Sequence, residues 1–234
     1  MKAIVCVDSN WGLTRNGECL FNYDFDLDFV NELTNGKAVI YGANTLTHLP
    51  DNKPMKGRLN IIYAKNLADL DMEAIYTADY VFKVMPMGLI NISNYIPMTM
   101  DHKLVPMKVK RGEELPAIQD IRELKISKGD TVVVLIGDLS HSLVVTNFFN
   151  FHDAQSDVYS IGSDLYIHNR LFNQYDDIYV AQSDADLSAD KCFYNLDDDL
   201  TYEKIPYTPL TNSKLYDYFS ISHYAKEREW ARLV

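Results

Sequence analysis

Short apolar runs punctuate the chain. Ala3–Val7 (AIVCV), Lys37–Gly42 (KAVIYG), Leu59–Ala64 (LNIIYA), Thr131–Gly137 (TVVVLIG) and Asp177–Gln182 (DIYVAQ) are mostly apolar and rich in β-branched residues, and Asp157–Ser163 (DVYSIGS) is a weaker sixth. Runs that do not alternate with polar residues predict strands buried on both faces, hence a mainly parallel sheet. Between them, spacing predicts helices over Asp26–Leu33, Asn44–Leu49, Leu139–Phe149 and Asp164–Phe172. This alternation is the pattern of an α/β fold. The C-terminal stretch Lys214–Lys226 reads as a last strand, antiparallel at one edge.

One interval breaks the rhythm. Residues 66–129 carry MPMGLINISNYIPMTMDHKLVPMKVKRG, with Pro86, Pro97 and Pro106 among several methionines. Proline suits turns and edge strands rather than helix interiors. The interval therefore reads as a hairpin-rich insertion in a single domain spanning 1–234. It would serve as a surface elaboration, a lid or the contact of a homodimer.

Composition narrows the class. The 234 residues are 47% hydrophobic, enough for a buried core. No apolar run approaches the roughly 20 residues that span a bilayer. The N-terminal run Ala3–Val7 is too short for a secretory signal, so a cytoplasmic protein is expected. Cys6, Cys19 and Cys192 are scattered, which suggests neither a disulfide framework nor a metal site. A net charge of −11 argues against nucleic acid as partner. An anionic ligand would need local basic groups or helix N-termini.

Three places carry chemistry. In NGECLFNYDFDLDFVNE (16–32), Asp26 shares a helical face with Phe29 and Val30, while Asp24 and Asp28 point elsewhere. Asp26 is either a helix cap or a desolvated carboxylate for a cationic or amidine-like group. In VIYGANTL (39–46) and YSIGSDLY (159–166), a strand meets a glycine and then a helix start. Two such junctions are what a dinucleotide spread across adjacent strand ends would need. A full GxGxxG is absent, so a standard Rossmann domain is not expected. Arg58 precedes one buried strand and Lys65 follows it.

Taken in order, these pieces resemble dihydrofolate reductase. AIVCVDSNWGLTRNGECLF is similar to the family's first strand and active-site loop, and DLDFVNELT to the helix bearing its essential acid. NGKAVIYGANTLTHLP, PMKGRLNIIYAK, IGSDLYIHNRLF and DDIYVAQSDADLSADKCFYNL resemble later family segments. The resemblance implies a mixed, mostly parallel sheet flanked by helices. It implies reduction of dihydrofolate by NADPH, with Asp26 as the catalytic acid. Ile4, Val5, Val30, Leu49 and Ile161 would line the substrate pocket, and Arg58 would hold the substrate's carboxylate. Cys6, Leu13, Asn44, Thr45, Lys65, Gly162, Ser163, Asp164, Leu165 and Tyr166 would hold the cofactor. Departures are Phe21 for the family's tryptophan, Leu20 for its proline, Ala43 for an arginine, Ile161 for a glycine, Asp164 for a basic residue and Ala181 for a threonine. Two other readings stand beside this one. They are a reductase of another pterin or a riboflavin-pathway pyrimidine, and a degenerate reductase fold reused as a structural or binding subunit.

Overall fold

The computed structural model describes residues 1–21, 27–71, 75, 77–90, 99–108, 117, 131–137, 158–207 and 218–226. The apolar runs are strands: β1 (Lys2–Val7), β4 (Ala38–Gly42), β5 (Leu59–Ala64), β8 (Thr131–Ile136), β9 (Val158–Ile161) and β10 (Asp177–Ser183). They lie in one ten-stranded sheet of order β12-β13-β10-β1-β9-β4-β5-β8-β6-β7. From β10 through β6 every neighbouring pair is parallel.

Each face of the sheet carries its own core. Along β1, Ala3, Val5 and Val7 pack into one, and Ile4 and Cys6 into the other. This follows from the two-residue period of a strand. Helix α1 (Leu27–Thr34) buries Phe29 and Val30 on the Ile4 face, and α2 (Ala43–Leu46) adds Leu46 there. Helix α3 (Leu165–Leu171) covers the opposite face through Ile167 and Leu171. Fully burying a side chain such as Phe29 or Leu171 stabilises by about 1.5–3 kcal/mol. The sheet is therefore the middle of three layers, the dihydrofolate reductase-like arrangement expected.

The edges differ from expectation. β13 (Phe219–Lys226) is antiparallel to β10, but β12 (Tyr202–Ile205) pairs outside it and takes the edge. Tyr202 forms that outer pair while its hydroxyl donates to the Tyr175 carbonyl at 3.1 Å, tying β12 to the turn that follows α3. At the far edge, β6 (Tyr80–Ile90) and β7 (Thr99–Lys108) form an antiparallel hairpin. This part of the interval 66–129 is not a separate flap, because β6 pairs parallel with β8 and prolongs the main sheet. The buried Val81, Phe82 and Val84 explain why: β6 has a stretch that needs cover on both faces. A second sheet, β11-β2-β3, joins Lys191–Cys192, Gly12–Arg15 and Glu18–Cys19. The helix expected over Leu139–Phe149 lies outside the described residues. Among the described residues no helix is long and apolar enough to cross a membrane.

Candidate active site

The connections define where a ligand fits. The chain leaves β1 by α1 to reach β4, crossing one face. It leaves β9 by α3 to reach β10, crossing the other face in the opposite direction. Such a reversal opens a crevice at the carboxyl ends of the strands, here β1, β9 and β4.

The α1 side of the sheet presents an apolar wall. Ile4, Val30, Leu49 and Ile161 are all buried in the α1-side core, and Ile4 sits opposite Ile161 across the β1–β9 pair. These four expected substrate residues are brought together. Val5 is not among them: it belongs to the opposite core, as does Leu13, which packs with Trp11 and Phe193. Adjacent strand residues point to opposite faces, so Ile4 and Val5 cannot both line one pocket with their side chains. Asp26, with Asp24, lies outside the described residues. Its face-mates Phe29 and Val30 are buried and Asp28 is exposed, as the helical spacing requires.

Arg58 is buried where β5 begins. Its Nε donates to Thr34 Oγ1 at 2.8 Å, Nη2 to Asn31 Oδ1 at 2.7 Å and Nη1 to the Lys56 carbonyl at 2.5 Å. The guanidinium thus ties the end of α1 to the sheet, and burial lowers its pKa. A guanidinium has five N–H donors, so one remains on each terminal nitrogen for a carboxylate.

The two glycine junctions touch each other, and their neighbours Ala43 and Ile161 belong to the α1-side core. Gly162 ends β9 with φ +100, and a Cβ there would run into the Thr45 side chain. Gly42 ends β4, and a Cβ there would run into the Asp164 carboxyl. Small residues on both sides let the junctions touch. Thr45 is completely buried and its Oγ1 has no hydrogen-bond partner. Asn44, next to it in the chain, and Lys65, just past the end of β5, are exposed. At α3, Asp164 Oδ1 accepts from Tyr166 N at 3.0 Å and Ile167 N at 3.4 Å, so the helix is capped by its own side chain. Burial raises the pKa of Asp164, partly opposed by these two amides. Tyr166 stacks on Tyr63 with ring centroids 5.4 Å apart, and Leu165 is half-buried against the α3-side core.

The segment that resembles the family's active-site loop reaches the Gly162 junction. Cys19 Sγ lies 2.5 Å from Ser163 Oγ, and burial raises the thiol's pKa. Phe21 packs edge-on against Phe219 at 5.0 Å. Ala181 sits beside Cys6 across the β1–β10 pair and offers no hydroxyl.

Two organising residues went unnoticed in the sequence. Asp8 is fully buried, and its carboxylate accepts from Asn10 N, Gly12 N and Leu187 N at 2.9, 2.7 and 3.1 Å. It pins the β1–β2 turn to the late loop. The signal was there: an acid just before a turn can satisfy turn amides. His168 is fully buried in α3. Its Nε2 donates to the Gly162 carbonyl at 2.8 Å and its Nδ1 lies 2.9 Å from Tyr175 Oη. Burial lowers its pKa to about 4. A cavity of about 440 Å³ lies elsewhere, between Ala43, Leu46 and Thr47 of α2 and the segment around Leu70. Ile4, Val30, Leu49, Ile161 and both junction glycines are absent from its lining. Among the described residues no group of His, Cys, Asp and Glu could hold a metal ion.

The fold is the dihydrofolate reductase-like α/β arrangement, a mixed, mostly parallel sheet with helices on both faces. Residues 1–87 match the family model described as dihydrofolate reductase. Among solved structures, the chain is similar to dihydrofolate reductase from Enterococcus faecalis complexed with NADP(H) and RAB-propyl, with a TM-score of 0.52 and 14% identity. That match covers 97% of this chain and 96% of the other. No curated protein sequence matches the chain.

Proposed function

We propose that this protein reduces 7,8-dihydrofolate to tetrahydrofolate with NADPH. The observation that carries the reading is the apolar cluster of Ile4, Val30, Leu49 and Ile161, which Ala43 and Ile161 carry up to the two touching glycine junctions. A flat, largely apolar ring suits the wall. A dinucleotide suits the junctions, because the buried Thr45 hydroxyl lacks a partner and unpaired buried hydroxyls are costly. Asn44, Thr45, Lys65, Gly162, Ser163, Leu165 and Tyr166 would hold that cofactor, with the backbone at Cys6 beside its ring and Asp164 set among them. When bound, NADPH supplies the hydride.

The chain's own residues do the rest. Asp26, which the sequence spacing groups with Phe29 and Val30, would hold the amino-pyrimidine edge of the pterin and favour its protonation. Arg58 would receive the substrate's carboxylate on its two remaining donors, an arrangement a lysine cannot copy. Cys19 and Ser163 would close the loop over the site and exclude water. Fixing two rings in reacting contact is worth several kcal/mol, on the order of 7–11 in the best oriented systems.

The test is Asp26→Asn in a steady-state assay across pH. Loss of a positioned acid should lower turnover at neutral pH on the order of 10²–10⁴-fold. The deficit should shrink as pH falls, because solvent then protonates the substrate directly. Wild-type turnover in the variant at neutral pH would rule the role out. A second reading, a binding subunit that has kept the reductase fold, is favoured by the Asp164 cap, which uses amides a phosphate would need. It predicts that NADPH produces no thermal shift in the wild-type protein.

A further inference from the structure

Asp164 is a carboxylate placed where a dinucleotide would bring its phosphates. Three observations bear on what it does there. Its Oδ1 takes the Tyr166 and Ile167 amides of α3. Its carboxyl lies against Gly42, so it reaches across from one glycine junction to the other. Among the described residues the cation acting on it is Lys191 on exposed β11, while Glu18 of β3 and Asp164 both bear on Cys19, whose thiol meets Ser163. A bound pyrophosphate would therefore meet a negative charge and find two amide donors already used.

We infer that Asp164 is a specificity-determining residue that weakens the hold on dinucleotide phosphates, so that the cofactor is retained mainly through its nicotinamide end and the β4–α2 junction. This rests on the reductase reading above. Two consequences follow from the charge and the geometry. Both NADPH and NADH are penalised, since each carries the pyrophosphate. A reduced nicotinamide riboside, which has no phosphate, is not.

The residue's two effects can be separated. Asp164→Asn keeps an oxygen that can cap α3 and removes only the charge. Asp164→Ser keeps a cap and also withdraws from Gly42. Dissociation constants for NADPH, NADH and reduced nicotinamide riboside are measured by calorimetry on the full chain, wild type and both variants. Thermal melts of each protein verify that it is folded. The expected result is about a tenfold gain for both dinucleotides in Asp164→Asn, the size of one like-charge contact near a surface. Asp164→Ser should gain at least as much, and the riboside should bind all three proteins alike. Should the serine variant fail to fold, the isosteric asparagine variant still decides. Dinucleotide binding that is unchanged or weaker in a folded Asp164→Asn protein overturns the inference and leaves the reductase reading in place. No binding of any of the three compounds to any folded variant overturns both.

Discussion

The two glycine junctions look alike in sequence and differ in what they leave exposed. At β4–α2 the N-cap is Gly42, with no side-chain hydrogen bond to the helix, and the buried Thr45 hydroxyl has no partner. At β9–α3 the N-cap is Asp164, two amides are satisfied by its carboxylate, and the neutral His168 grips the Gly162 carbonyl from behind. One junction is unfinished and the other is closed on itself. An unfinished junction has polar capacity to offer a ligand. A closed one contributes rigidity, and gives up donors only if its own side chain moves aside.

The strongest way to probe the closed junction is acid. The folded pKa of His168, about 4, lies below the ordinary 6.5, so the unfolded chain binds the proton more readily. Its contribution is fully present above pH 6.5 and is lost as pH falls towards 4. Denaturant unfolding should show up to about 3 kcal/mol lost over that window from this group. His168→Gln should flatten the profile between those pH values, and an equal slope in both proteins would show that the ring does not control it. The pKa of Asp177 is lowered by His223 and Lys2, so its own loss comes below the ordinary carboxylate range, outside this window.

Next in size is the backbone of the same junction. Gly162→Ala forces a side chain onto φ +100 and into Thr45, and should cost about 2–3 kcal/mol in chemical denaturation. A variant as stable as wild type would mean that the junctions are not held in contact. The smallest effect concerns the open junction and has the opposite sign. Thr45→Val removes an unpaired buried hydroxyl without changing shape, so the ligand-free protein should be unchanged or about 1 kcal/mol more stable. NADPH affinity, read by calorimetry, should fall. A clear loss of stability without ligand would show that the hydroxyl has a structural partner.

How much of this could be read from the sequence depended on how far each signal repeats. β1, β4, β5 and β10 were legible because a strand buried on both faces is apolar at every position. The faces of α1 followed from the spacing of Phe29 and Val30. The two-residue period of β1 sends the Val5 side chain to the core opposite Ile4, which leaves Val5 only its backbone to offer on the Ile4 face. β2, β3 and β11 were missed, since two to four residues cannot show a period. The hairpin in the inserted interval was suggested by its prolines, but its partner was not: pairing with β8 joins residues about fifty positions apart, and nothing local encodes that. Asp164 was seen as an oddity of charge. That it turns back onto Tyr166 and Ile167 is a matter of side-chain direction, which only the folded chain supplies.

The place of β8 has a consequence for how the molecule is made. Thr131–Ile136 fills a slot between β5 and β6, both of which precede it in the chain. During synthesis the ribosome delivers β5, then the β6–β7 hairpin, while the strand that joins them is still inside the exit tunnel or not yet translated. Until it arrives, β5 and β6 each present an open row of backbone donors and acceptors, a template for wrong pairing. The nascent protein is thus most vulnerable in the interval between completing β7 and releasing β8, and the long connection before Thr131 sets how long that interval lasts.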